Sequence, residues 1–189
     1  MLKLYKDSSV VKYVVGTAQN TDTIPCSEQP NEVRVFTDSE PYGILLQLNT
    51  DAVLEPNEWE WDDANSQVVL GETKTGTIVC YAGSVWLFND TPIPLNESQT
   101  VIVELKNESN DLRATSITVS GVEIVDLTPT EPTVVEISLD GTTYANSVNV
   151  PDLPPNTSTT LHVKATAGSD VIVYRNLGVK IDYVYVFEE

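Results

Sequence analysis

The sequence predicts an all-β protein of two modules, each a β-sandwich or barrel-like fold, and three observations carry that reading. Apolar residues recur with period two almost everywhere, while no stretch keeps them at i, i+3, i+4 and i+7 over three helical turns. Short alternating runs are separated by segments rich in Asn, Asp, Pro and Gly, the punctuation of turns between strands. Two prolines within Asn89-Asp90-Thr91-Pro92-Ile93-Pro94 break ladder bonding and mark a connector, so one module is expected over 1–93 and the other over 94–189.

Taken in order, Leu2-Lys3-Leu4, the Asp7-Ser8-Ser9 turn and the alternation of Val11, Tyr13 and Val15 predict an opening hairpin. Short strands are expected at 33–36, 43–48 and 68–70. Thr77 to Tyr81 and Val85 to Phe88 flank Ala82-Gly83-Ser84, the spacing of a hairpin with glycine in a three-residue loop. In the second module Val101, Val103 and Leu105 share one strand face, opposite Glu104 and Lys106. Strands follow at 116–119 and 122–127, then Val135, Ile137 and Leu139 on one face before the Asp140-Gly141 turn. After Val148 and Val150, Leu161, Val163 and Ala165 point inward between His162 and Lys164, and 179–187 is the longest strand. About seven strands in ~95 residues is the count of an immunoglobulin-like sandwich.

Hydrophobic residues make up 41% and charged residues 20% of the 189, a balance that supports a folded core. Lys and Arg number 10 against 28 Asp and Glu, a formal charge of −18 that repels phosphate backbones and anionic lipid. Neither nucleic acid nor a membrane is therefore an expected partner. No run approaches the ~18 apolar residues of a membrane helix, and Met1 to Asp7 has no signal-peptide core, so the chain is expected to start in the cytoplasm of the cell that makes it.

The parts of an enzyme are missing from the sequence. His162 is the one histidine, on a solvent-facing strand position, and no Gly-x-Ser-x-Gly, phosphate-binding loop or Gly-x-Gly-x-x-Gly appears. The expectation is no catalysis, no cofactor and no metal. Asp62-Asp63-Ala64-Asn65 offers oxygens but lacks the spacing of a calcium loop and reads as an acidic turn. Cys26 and Cys80 stand alone in sequence and read as two structural thiols, with one disulfide as the alternative. The Asn-x-Ser/Thr sequons at Asn89, Asn96, Asn107 and Asn156 read as turn chemistry.

Two sets of residues remain as candidate contact sites. Trp59 and Trp61 fall on one face of a strand, and Trp86 with Phe88 repeats the pattern, so Trp59, Trp61 and Trp86 are a candidate platform for a partner or a sugar ring; the competing reading is a core-facing pair. In the last strand Val184 and Val186 make the face opposite Tyr183 and Tyr185 apolar as well, so Tyr183, Val184, Tyr185 and Val186 are a candidate association strand if it lies at an edge.

Several motifs resemble a known class. Val101 to Asn107, a strand ending in Lys-Asn, and Ala114 to Val119 resemble the Ig-like modules of surface and virion proteins. Leu153-Pro154-Pro155-Asn156-Thr157 through Ala165 is similar to the E-to-F corner of fibronectin type III domains, with Thr159 in place of the corner tyrosine. Val135 to Tyr144 resembles the hairpins of accessory domains in tailed-phage structural proteins. The resemblance spans residues 99–189 and implies a non-enzymatic virion protein, a capsid decoration or head or tail accessory protein, bound to capsid or other virion proteins and present as a homo-oligomer or in many copies. A carbohydrate-binding module and a cell-surface adhesin fragment are the alternatives.

Overall fold

The computed structural model describes residues 1–37, 39–88, 93–123, 133–168 and 177–187. These contain no helix and sixteen strands: β1 (Leu2–Lys6), β2 (Ser9–Val10), β3 (Tyr13–Gln19), β4 (Thr23–Pro25), β5 (Glu32–Thr37), β6 (Glu40–Leu45), β7 (Gln47–Leu48), β8 (Glu58–Asp62), β9 (Gln67–Leu70), β10 (Thr77–Ala82), β11 (Ser98–Asn107), β12 (Leu112–Glu123), β13 (Val134–Ser138), β14 (Ser147–Val150), β15 (Ser158–Thr166) and β16 (Leu177–Phe187). The all-β class is as the period-two pattern predicts. The connector at 89–92, the Asn89 sequon and the strand end at 124–127 lie outside the described residues.

The chain forms two compact units, and a single cut near residue 93 does not separate them. One unit joins Met1–Tyr13 to Ser84–Glu123 and the described residues from 133 onward; the other is Val14–Gly83. The physical reason is register. Leu2 and Leu4 face inward and complete the ladder of β11, with Leu4 opposite Leu105 and Tyr5 opposite Glu104. Val14–Gly83 is therefore an insertion between the first and the later strands of the larger unit. Its flanks run side by side: Val11 bridges Val85, and the Lys12 amide donates to the Val85 carbonyl at 2.7 Å.

In the larger unit one sheet has the order β13-β15-β11-β1-β2 and the other β14-β12-β16. Paired positions Val101 and Val163, Val103 and Leu161, and Ile137 and Val163 all point inward, so alternation along each strand builds one continuous apolar layer. Ala114, Ile117, Val119, Val150 and Val179 supply the facing layer, giving a sandwich-like core. A bulge between Thr115 and Thr118, with Ser116 at φ 52°, lets Ala114 and Ile117 both turn inward although three positions apart. Consequently the strands expected at 116–119 and from 122 are one strand, β12.

The inserted unit pairs β3-β10-β5-β6 in one sheet and β4-β9-β8-β7 in another, around Ile24, Val33, Phe36, Trp59, Val68, Ile78 and Tyr81. The single strand expected over 43–48 is divided between these sheets at Leu46, which is buried and donates its amide to Val33. Three further expectations are corrected. The opening hairpin is only β1 and β2, turned by Asp7 and Ser8 at φ 49° and 67°, a primed two-residue turn. The 77–88 hairpin does not form: Gly83, at φ 95°, turns the chain away, and the amides of Ser84 and Val85 both donate to Val10. Leu139, expected to face inward with Val135 and Ile137, lies past the end of β13 and is 41% exposed.

Candidate functional site

The tryptophans do not form a common platform. Trp59 lies in β8 opposite Leu70 and is only 2% exposed, a core residue of the inserted unit. Trp61, two positions on, is half-buried and its indole N–H donates to Asp63 at 3.3 Å. Trp86 belongs to the larger unit, where the buried Lys12 ammonium stands 4.7 Å from its ring centroid, a cation–π contact. Phe88, which was to continue the pattern, is buried at 1%.

Asp62 serves its own hairpin. Its carboxylate accepts from the Asn65 side chain at 2.7 Å and the Gln67 side chain at 3.0 Å, and these bonds, Asn65 first, hold its pKa below the ordinary carboxylate value. Among the described residues no three His, Cys, Asp or Glu side chains gather as metal ligands. His162 lies half-buried on β15 beside Gly141, where a Cβ would sit a close 3.0 Å from the imidazole.

The last strand is where apolar surface and topology meet. Among the described residues β16 pairs with β12 only, at the end of the three-stranded sheet. Its odd-numbered side chains turn inward as far as Tyr185: Leu177 and Val179 are buried, Ile181, Tyr183 and Tyr185 half-buried, and the two tyrosine rings meet edge to face at 5.0 Å. Its even-numbered side chains turn out. There Lys180 and Asp182 pair at 2.9 Å, and beyond them Val184 and Val186 are 55% and 42% exposed. Phe187 ends the strand at 79% exposed. Of the four candidate association residues, two are thus structural and two present their side chains to the outside.

Tyr185 is structural for a reason the residue pattern did not announce. Its hydroxyl donates to Asn107 Oδ1 at 3.0 Å, and Asn107 is fully buried. The Asn107 amide in turn donates to the carbonyls of Leu112 at 2.8 Å, Leu153 at 2.9 Å and Pro154 at 3.2 Å. One side chain therefore ties β11, the β11–β12 turn, the Leu153-Pro154 corner and β16 together. It occupies the inward phase of Val101, Val103 and Leu105, which is the sequence signal for it: a polar residue in an apolar register must find internal partners. The same burial removes Asn107 as a glycan acceptor, whereas Asn96 and Asn156 sit exposed at positive φ.

No protein family, curated protein or solved structure matches the chain.

Proposed function

We propose that this chain is a non-enzymatic structural component of a virion, a capsid decoration or head or tail accessory protein acting by protein–protein contact. The observation that carries the reading is the outer end of β16. Val184, Val186 and Phe187 expose apolar surface at the end of a sheet, on a molecule of formal charge −18. Exposed apolar side chains on a molecule of net negative charge suit a basic protein surface, where charge steers the encounter and apolar contact holds it. Sheet order adds support. The order β13-β15-β11-β1 follows the D-E-B-A order of an immunoglobulin constant-type sheet, and β12 beside β16 follows C beside F, although β14 lies on the far side of β12.

The saccharide reading needs indoles open to solvent, and Trp59 is in the core. The direct test is light scattering on the purified chain followed by co-sedimentation with candidate viral particles across a salt series. Sedimentation with particles, weakened by salt, is the expected result. A chain that ignores every particle while binding a glycan array would overturn it.

A further inference from the structure

We propose that Cys26 and Cys80 form a redox site: a dithiol that closes to an intramolecular disulfide across the two sheets of the inserted unit. The two residues are 54 positions apart (80 − 26), and the fold brings them together. Cys80 lies inside β10, beside β3 in the first sheet. Cys26 directly follows β4 of the second sheet, where its amide donates to Ser66 at 3.0 Å. Gly16 of β3 makes the approach possible, since a Cβ there would lie 2.5 Å from the Cys26 sulfur. Both thiols are buried, and the Cys26 thiol donates to the Ile24 carbonyl at 3.4 Å. The Asn20 amide donates to the Gly76 carbonyl at 3.2 Å, a register of β3 on β10 that sets Gly16, and with it the Cys26 sulfur, beside Cys80.

The pair is chemically unequal. The neighbouring thiols shift one another, Cys26 downward and Cys80 upward, and burial raises Cys80 further. Cys26 is also the more accessible, at 8% exposed against 0%, and it adjoins a three-residue strand at the end of its sheet, the kind of element that opens locally. Cys26 is therefore the attacking sulfur. With a small-molecule disulfide such as oxidised glutathione as oxidant, the Cys26 thiolate forms a bond to one sulfur and expels the other as a thiolate, which takes up the proton Cys26 lost. The Cys80 thiolate then attacks the Cys26 sulfur and expels the second thiolate, which takes the second proton. The protein loses two electrons and two protons, and the oxidant becomes two thiols. A cytosolic poise keeps the pair reduced, and an oxidising one closes it.

The experiment uses the whole chain, folded and also refolded from urea, in glutathione buffers of graded redox poise, then denatured in an alkylating agent for intact mass and peptide mapping. The expected result is loss of both labels together, a peptide linking Cys26 to Cys80 within one chain, and a melting temperature raised by roughly 10 °C. Cys80→Ser should instead hold glutathione on Cys26. Two labelled cysteines after refolding in excess oxidised glutathione, or links found only between chains, would overturn the proposal.

Discussion

The larger unit and the insertion within it reach a stable all-β core by different means. In the larger unit β11, β12, β15 and β16 run ten, twelve, nine and eleven residues, so strict alternation sets their register many times over. No strand of the inserted unit exceeds the seven residues of β3. There the core depends on shape: Trp59 and Phe36 fill it, and Gly71 lets the chain pass where a Cβ would lie 1.9 Å from the Glu55 carbonyl oxygen. Pattern specifies one unit and fit specifies the other, so the two should fail differently.

The largest expected effect is in the inserted unit. Trp59→Ala empties a site that short strands cannot repack and should cost about 4 kcal/mol. Hydrogen exchange resolved along the chain is the measurement: protection should fall across β5, β8, β9 and β10 and stay near its original level in β11, β12 and β15. A uniform loss would mean that the two units unfold as one.

In the larger unit the corresponding weakness is polar. Asn107→Ala leaves the carbonyls of Leu112, Leu153 and Pro154 without their donor and should cost about 3 kcal/mol. Tyr185→Phe removes only the bond into Asn107 and should cost about 1 kcal/mol. Urea unfolding of the two single variants and the double checks the coupling: the double should cost less than the sum, because both act on one network. Additive losses would show that Asn107 holds the corner without help from β16.

How much of this was legible in the sequence follows the same division. The inward sets Val101, Val103, Leu105 and Leu161, Val163, Ala165 could be read directly, because half-buried strands impose period two. The pairing of β1 with β11, which sets Tyr5 opposite Glu104, could not, since alternation states which face is buried and not which strand lies alongside. The failed hairpin at 77–88 has the same origin: Gly83 permits a tight turn and equally a departure. Among the candidate residues, spacing placed Trp59 and Trp61 on a strand, and Val184 and Val186 on the face opposite Tyr185. It could not show that Trp59 faces a core, or that Tyr185 serves an amide beneath it.

A smaller effect separates the N-terminal strand from the rest of its unit. The Tyr5 hydroxyl donates to Glu108, and Lys3 pairs with the same carboxylate at 2.8 Å. The bond to Glu108 pushes the Tyr5 phenol up to about 12, while Lys3 and then Tyr5 hold Glu108 below its ordinary value. The signs are opposite. The raised phenol stabilises the fold fully below its unfolded pKa, near 10, and that contribution is lost as pH rises through about 12; the lowered carboxyl stabilises above its unfolded pKa and is lost as pH falls through the folded one. Phenolate absorbance should therefore show two tyrosines titrating late, Tyr5 and the buried Tyr81, and Glu108→Gln should return only the Tyr5 phenol toward 10. Its failure to move would detach the network from the anchoring of β1.

The smallest expected effect on stability is the one that bears most on function. Val184 turns outward at 55% exposed, opposite Thr115 on β12, and its side chain adds nothing to the inner layer. Val184→Lys should change stability by less than about 0.5 kcal/mol, and a lysine is at home on an edge strand. If the outer end of β16 is the contact surface, the same variant should lose co-sedimentation with viral particles, because an ammonium in an apolar contact must be stripped of water against a basic partner. Lys180→Ala, on the same face but within the charged part of the strand, should sediment as the original chain does. A Val184→Lys protein that binds particles unchanged would remove β16 from the interface and move the search to the inserted unit, where Ile44, Leu45, Leu48 and Val53 are exposed apolar residues to substitute next.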